Sequence, residues 1–285
     1  MENLIGESLL DVKFGKTTMR GQIAILICLL VVTLCACSYN HQDYGVFLSY
    51  EGDLERLSKY KTVVIDAQYF EATEIEEFRN DGHKIYSYIN IGSLENFRDY
   101  YAEYKDLTLD VYENWEDEKW VDATSKRWQS FILDELAPSL LAKDIDGFFV
   151  DNCDVYYMYQ SDEMLDGVAT IMKGLVATGK EVIMNGGDAF IEAYTERGGN
   201  FRDVLTGINQ ESVFTRIDWE NDRFYGSFKE DREYFLEHLE KYSKMGADIY
   251  LLEYTSNPFI SIRVKNYCKQ HGYKYYISDS LDLGI

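Results

Sequence analysis

The sequence predicts a single (β/α)8 barrel that follows an N-terminal signal or anchor segment. Eight strand-like segments alternate with seven helix-like segments across residues 44–285, as expected of this fold. Residues 147–150 form a short apolar run, which is typical of a strand covered on both faces. Polar residues such as Asp151 stand where strand-like segments end, and barrels of this class build their sites there. A doubly wound open sheet is the alternative fold, but no Gly-rich phosphate loop follows any strand.

Each element is predicted from its residue pattern. Strand-like segments are rich in β-branched and aromatic residues, and helix-like segments repeat apolar residues three or four apart. The strand-like segments are 44–50, 61–67, 84–92, 146–151, 181–187, 204–211, 248–254 and 273–279. The helix-like segments are 53–57, 73–78, 125–143, 162–178, 188–196, 229–245 and 258–271.

The helix at 125–143 contains Pro138, which we expect to kink it. Its apolar residues recur at a four-residue spacing and should face inward. These residues are Trp128, Ile132, Leu136 and Leu140.

The N-terminus has the layout of an export signal. Arg20 precedes an apolar run at residues 23–32, and Leu34-Cys35-Ala36-Cys37 follows this run after Thr33. This end resembles a bacterial lipobox, so we expect cleavage before Cys37 and lipidation of its sulfur. Residues 1–37 are then a signal peptide, with Met19 as an alternative start, and residues 38–43 a linker. An uncleaved membrane anchor is the other interpretation. Both place the domain outside the membrane, as a cell-surface lipoprotein or a secreted protein.

Composition restricts the partners. The chain of 285 residues is 46% hydrophobic and has 28 basic against 50 acidic residues, a net charge of −22. Such a charge disfavours nucleic acid and anionic lipid and favours a cationic ligand, although acidity can also serve solubility alone. We expect a monomer that meets the membrane only through its N-terminal signal or lipid anchor. Beyond that segment only Cys153 and Cys268 remain, and a bridge between them stays open.

The connection at residues 95–124 is unusually long for a barrel loop. Aromatic residues alternate there with acidic ones, and exposed rings could stack against sugars. The alternative is that they pack the connection onto the barrel. The rings are Tyr100, Tyr101, Tyr104, Tyr112, Trp115 and Trp120.

Seven polar residues stand at the ends of predicted strands and should meet at one mouth of the barrel. They are Asp66, Asn90, Asp151, Asn185, Glu211, Glu253 and Asp279. No histidine joins them, so a histidine metal centre or Ser-His triad is unsupported and no metal or cofactor is expected. Glycoside hydrolysis needs only two carboxyl groups. For Asp151 taken alone, helix capping is an equally good explanation.

Several motifs resemble one known family. Residues 146–154 (DGFFVDNCD), 88–92 (YINIG), 209–211 (NQE) and 278–282 (SDSLD) are similar to the endo-α-1,4-polygalactosaminidase family of glycoside hydrolases, family 114. The resemblance extends from residue 44 to residue 285. It implies a TIM barrel that hydrolyses α-1,4-linked galactosamine-containing polysaccharide without a metal or organic cofactor.

The resemblance also assigns residues. It implies that Asp151 and Glu211 are the catalytic carboxylates, and that Asp66, Asn90 and Asp154 line the substrate cleft. By analogy with related barrels, Asp151 is the nucleophile or charge stabiliser and Glu211 the general acid/base.

The remaining polar residues at strand ends are expected to bind substrate. They are Asn185, Glu253 and Asp279. The surplus of carboxylates predicts an amine-bearing substrate. A hydrolase for another glycan and a non-catalytic polysaccharide-binding lipoprotein remain as alternatives.

Overall fold

Eight parallel strands form a nearly closed barrel in the computed structural model, which describes residues 42–221 and 223–285. The strands are β1 (Gly45–Phe47), β2 (Thr62–Ile65), β3 (Lys84–Asn90), β4 (Gly147–Asp151), β5 (Glu181–Asn185), β6 (Gly207–Glu211), β7 (Asp248–Tyr254) and β8 (Lys274–Ser278). Each pairs with the next along the chain. No ladder joins β1 to β8 among the described residues, where the rings of Phe47 and Tyr276 meet instead, with centroids 5.2 Å apart. The predicted fold is confirmed.

Helices alternate with these strands, as the sequence predicts. The α-helices are Ala72–Asn80, Tyr101–Tyr104, Lys126–Ser130, Ala137–Leu141, Val155–Met158, Asp162–Ala177, Asp188–Glu196, Lys229–Lys244 and Pro258–His271. Short 3-10 turns occupy Leu54–Leu57, Ala67–Tyr69, Lys105–Leu107 and Phe201–Asp203.

The helix expected at 125–143 contains a wider turn before its proline. Residues Phe131–Leu136 are π-helical, and the N–H of Ala137 bonds to the carbonyl of Ile132, five residues back. Pro138 has no N–H, and its ring would crowd the carbonyl four residues earlier. The π-turn accommodates this ring and keeps the inward stripe in place. All four stripe residues are buried: Trp128, Ile132, Leu136 and Leu140.

Side chains alternate between two cores along each strand, with a period of two. In β7, Tyr250, Leu252 and Tyr254 belong to a cluster inside the barrel, whereas Ile249 and Leu251 belong to the larger core outside it. The same period makes the last residue of several strands point inward, near the mouth of the barrel. Those residues include Asp66, which directly follows β2, together with Asn90, Asp151, Asn185 and Glu211.

Two antiparallel excursions stand above the mouth, and neither was predicted as strands. After β3, a side sheet pairs Ser93–Glu95 with Glu118–Val121 and Glu118–Val121 with Thr108–Val111. After β6, a hairpin pairs Thr215–Asp218 with Arg223–Gly226. We refer to these as the side sheet and the β6 hairpin.

Cys153 and Cys268 are buried free thiols, so they form no bridge. Within residues 42–221 and 223–285, no helix has the length and apolar character needed to cross a bilayer. The expected signal peptide, with Cys37, lies outside the described residues.

Candidate active site

One amide nitrogen joins the two carboxylates that the sequence singles out. Nδ2 of Asn185 donates to Oδ1 of Asp151 at 2.9 Å and to Oε1 of Glu211 at 2.7 Å. These two oxygens therefore lie at most about 5.6 Å apart, which is 2.9 plus 2.7 Å, so the two carboxylates are near neighbours. The ends of β4, β5 and β6 supply the three side chains, because neighbouring parallel strands end side by side.

A hydrogen-bond relay fixes the orientation of that amide. Oδ1 of Asn185 accepts from Nδ2 of Asn209 at 2.7 Å, and Oδ1 of Asn209 accepts from the hydroxyl of Tyr44 at 3.2 Å. Since ionised carboxylates only accept hydrogen bonds, Asn185 must present its nitrogen to them and its oxygen to Asn209. The pair is thus held by a network that starts on the buried Tyr44, just before β1.

Glu211 has a second donor. The hydroxyl of Tyr254, at the end of β7, donates to Oε2 of Glu211 at 2.6 Å. The ring of Tyr254 stacks on Phe224 of the β6 hairpin, with centroids 5.8 Å apart. This hairpin therefore packs directly over the residue that contacts Glu211.

Burial raises the pKa values of both carboxyl groups. For Asp151, burial acts first, followed by the charge of Glu211. Burial also raises the pKa of Glu211, against which the donors on Tyr254 and Asn185 act. Two close carboxylates resist double ionisation, so the pair retains a proton to higher pH than either group would alone. One can then act as an acid and the other as a base or nucleophile.

A third carboxyl group, that of Glu118, comes from the side sheet. Its Oε2 accepts from the hydroxyl of Ser93 at 2.5 Å. The amides of Asn90 and Asn152 each donate to the same oxygen at 3.5 Å. Burial raises the pKa of Glu118 to about 7.

Asp154 is a fourth carboxyl group at this mouth. Its oxygens accept from the backbone N–H of Gly187 at 3.3 and 3.2 Å. A Cβ on Gly186 would lie 2.8 Å from Oδ2 of Asp154, and Gly186 has a φ of +63°, so this close turn requires glycine. Burial, and then the charge of Asp188, raises the pKa of Asp154 to about 7.

Most aromatic rings of the long connection pack inward. Trp120 and Tyr104 are buried, and Tyr112 stacks on Trp120 with centroids 4.1 Å apart. Trp115 differs, because it is 40% exposed. Its ring meets that of Trp219 at the tip of the β6 hairpin, with centroids 5.9 Å apart, so the two excursions touch through exposed tryptophans.

Within the described ranges, no three or more acidic, histidine or cysteine side chains are placed to hold a metal ion. The chemistry that this arrangement itself supplies is acid–base and nucleophilic catalysis by carboxyl groups.

A family model, that of glycoside-hydrolase family GH114, matches residues 39–280. The chain belongs to this family. It is therefore an O-glycosyl hydrolase, and the family expected from its motifs is confirmed. No curated protein matches the GH114 chain in sequence.

Solved structures share the fold of this GH114 chain. The glycoside hydrolase domain of PelA from Pseudomonas aeruginosa superposes with a TM-score of 0.71 at 18% identity, over 85% of this chain and 96% of that domain. Ega3 of Aspergillus fumigatus, in complex with galactosamine, gives a TM-score of 0.66 at 15% identity, over 86% and 93% of the chains. Amy13B of Eubacterium rectale gives 0.56 at 10% identity, over 84% and 65%.

Two residues that were expected to line the substrate cleft make internal contacts in this GH114 barrel. Asp66 is buried against Arg98, with Oδ2 and Nη1 2.5 Å apart. Arg98 also pairs with Glu95, at 2.6 Å from Nε to Oε2. Asn90 is buried as well, and its amide donates to Ser93 and Tyr88 at 2.7 and 3.0 Å. The structure therefore gives Asp66 and Asn90 a supporting position behind the mouth, and not the expected place on its surface.

Two other expectations do not fit the structure. Glu253 directly precedes the inward Tyr254, so it faces outward, where it is fully buried. Its oxygens accept from the N–H of Phe214 at 2.9 and 3.1 Å and from the hydroxyl of Thr215 at 2.6 Å. Asp279 lies one residue beyond β8 and is exposed. Glu253 therefore anchors the β6 hairpin, and neither residue joins the carboxylate pair.

Three residues of the site were missed from the sequence. Asn209 stands two residues before Glu211, and Tyr254 two after the apolar Leu252, so a strict period of two would have placed both inside the barrel. No comparable pattern in the sequence predicts that Glu118 belongs to the site. Its position depends on its pairing with Glu95 in the side sheet, 23 residues away in the chain.

Proposed function

We propose that this hydrolase cleaves α-1,4-linked galactosamine-containing polysaccharide, with Asp151 and Glu211 as its catalytic pair. The observation that carries this proposal is the shared nitrogen of Asn185, which holds both carboxylates together at the mouth. The GH114 membership and the galactosamine bound to the similar Ega3 support the substrate class. The net charge of −22 is consistent with an amine-bearing polymer.

The proposed mechanism has two steps. A carboxylate oxygen of Asp151 attacks the anomeric carbon while Glu211 protonates the leaving glycosidic oxygen, which gives a glycosyl ester. Glu211, now ionised, takes a proton from water, whose oxygen displaces Asp151 and yields the free sugar end. Retaining enzymes space the two carboxyl groups by about 5–5.5 Å and inverting enzymes by about 6.5–9.5 Å. Because the two bonded oxygens lie no more than about 5.6 Å apart, we propose retention.

The division of roles depends on where the proton resides. Among residues 42–221 and 223–285, two donors act on Glu211 and one, Asn185, donates to Asp151, which by itself favours ionised Glu211. When Glu211 carries the proton, however, it can donate to the oxygen of Tyr254 at the same distance. Substrate whose glycosidic oxygen reaches Glu211 then selects this second arrangement.

Sugar release from a panel of polysaccharides tests the function. Asp151→Asn and Glu211→Gln should each lower kcat by at least about 1,000-fold on the galactosamine polymer, whereas the exposed Asp203→Asn and Glu237→Gln should not. Proton NMR of the first product should show the α anomer. A β anomer would contradict retention, and activity confined to another glycan would contradict the substrate.

We also propose that the enzyme is exported and anchored by a lipid on Cys37. The basic residue, the apolar run and Ala36-Cys37 stand in signal order, which supports this proposal. Mass spectrometry of the mature N-terminus should find a lipidated Cys37. An unmodified protein that begins at Met1 or Met19 would exclude it.

A further inference from the structure

Four carboxyl groups share the mouth without a basic partner. They belong to Asp151, Glu211, Glu118 and Asp154, and we refer to them as the mouth carboxyls. Among residues 42–221 and 223–285, no lysine, arginine or histidine forms an ion pair with any of them. Burial raises the pKa of Glu118 and the charge of Arg98 acts to lower it, but Asp66 and Glu95 already bind the Arg98 guanidinium. The site therefore has an uncompensated negative charge, which a cation would neutralise.

The mouth carboxyls differ in what their oxygens already contact. Asp151 and Glu211 are the proposed reacting groups, and both oxygens of Asp154 face the N–H of Gly187. Glu118 is held through Oε2 alone. Its Oε1 accepts no hydrogen bond from the described part of the chain, and the side chain is only partly buried. Glu118 is thus fixed in position with one oxygen available.

Tyr112 lies opposite Glu118 in the side sheet, where its N–H donates to the carbonyl of Glu118 at 3.2 Å, so the phenol ring and the carboxyl group occupy adjacent cross-strand positions. Burial raises the pKa of Tyr112, and the charges of all four mouth carboxyls raise it further, so its phenol lies within their common field. The buried Trp120 stacks on the ring of Tyr112 and supports it. A carboxylate beside an aromatic ring is an arrangement that binds ammonium groups, through an ion pair and a cation–π contact.

We propose that Glu118 is a specificity-determining residue that binds the ammonium group of a sugar unit next to the scissile bond. This inference rests on the proposed function, because it specifies which chemical form of the polymer fits the site. An ammonium group can donate to Oε1 while Ser93 retains Oε2. An N-acetyl group is neutral and would leave the carboxylate buried without a counter-charge, which is costly. Glu118 therefore selects deacetylated over N-acetylated polymer.

The first test compares kcat/KM on deacetylated and fully N-acetylated galactosamine polymer. The ratio of the two values should fall by about 10- to 100-fold in Glu118→Gln, the range expected for a charge-assisted hydrogen bond. Glu116→Gln makes the same charge change at an exposed position of the same connection, so its ratio should match wild type. An unchanged ratio in Glu118→Gln, or an equal loss on both polymers, would overturn the proposal.

A second variant tests the same role if Glu118→Gln is too unstable to assay. Ser93→Ala removes the hydroxyl that holds Oε2, so it should lower the same ratio by a smaller factor. Between pH 5 and 7, where a primary amine stays protonated, the wild-type ratio should rise with pH as Glu118 ionises. Glu118→Gln should remove this rise.

Binding measured by calorimetry distinguishes a failure of the proposed function from a failure of the proposed role of Glu118. In the Glu211→Gln background, Glu118→Gln should weaken binding of a deacetylated galactosamine oligosaccharide by about 10-fold or more. If wild type cleaves neither polymer but this loss appears, the proposed function fails while the role of Glu118 stands. Equal affinity with and without Glu118 would overturn the role even if wild type is active.

Discussion

At the residue scale, a single side-chain nitrogen sets the spacing of the catalytic pair. Asn185→Ala removes the donor shared by Asp151 and Glu211, so the two carboxylates should move apart by repulsion. We expect kcat to fall by about 10- to 100-fold because positioning is lost. Steady-state kinetics test this, with the exposed Asn266→Ala as the control. Wild-type kcat in Asn185→Ala would show that the relay does not position the pair.

Tyr254→Phe should reveal which member of the pair carries the catalytic proton. The hydroxyl of Tyr254 stabilises ionised Glu211, so its removal should raise the pKa of Glu211 by about one unit. If Glu211 is the acid it must begin protonated, and the alkaline limb of the kcat/KM profile should move to higher pH.

The control for this profile is Tyr242→Phe, whose hydroxyl contacts Thr195 away from the pair. A shift of the acidic limb instead would mean that Glu211 must be ionised, and would exchange the roles of Glu211 and Asp151.

The sequence could predict Asp151, Asn185 and Glu211 because each ends a strand as an inward residue. The same reasoning failed for Glu253, since one residue along a strand reverses the direction of a side chain. The same reasoning failed for Asp66, because Asp66 is paired with Arg98. That arginine lies 32 residues later, in the long connection at residues 95–124. Position at a strand end is a local property, whereas accessibility depends on residues distant in the chain.

At the element scale, the barrel strands were predictable because their apolar pattern is local. The side sheet and the β6 hairpin were not, since short exposed strands such as Arg223–Gly226 carry little apolar alternation. Their position depends on contacts with residues distant in the chain. The β6 hairpin is tied to β7 through Glu253, which binds Phe214 and Thr215.

We expect Glu253→Ala to loosen the β6 hairpin and to lower kcat/KM, because Phe224 would no longer hold Tyr254 in place. Hydrogen exchange at residues 214–226 should increase, while exchange in the distant helix Asp162–Ala177 should not. Unchanged protection of the hairpin would show that Glu253 does not anchor it.

Glu253 should also affect the pH dependence of stability. Burial raises its pKa from 4.5 to about 7. Between these values the folded protein retains a proton that the unfolded chain has lost, so this residue makes the free energy of unfolding fall as pH rises, by about 1.4 kcal/mol per pH unit.

Glu253→Gln should remove this contribution, so the free energy of unfolding should fall less steeply between pH 4.5 and 7. Urea unfolding at several pH values measures it, with the exposed Glu237→Gln as the matched control. An unaltered slope would mean that Glu253 is ionised throughout this range.

At the scale of the whole molecule, the charge of −22 should make turnover of a cationic polymer sensitive to salt. Mobile ions screen the attraction between the protein and ammonium groups. We expect kcat/KM on deacetylated polymer to fall as ionic strength rises from about 10 to 300 mM, and turnover of N-acetylated polymer to change little. Equal, salt-insensitive values for both polymers would indicate that the acidity serves solubility alone.

We expect the contact between Trp115 and Trp219 to affect how a long polymer enters the site. It joins excursions that follow β3 and β6, and the ends of β4 and β5 lie between them. While the two rings touch, we expect a chain that passes beneath them to be threaded from a free end. A polymer whose ends are held in a matrix must enter sideways, so the rings have to separate at each such encounter. The strength of one aromatic contact would then decide between attack at free ends and attack along the length of the chain.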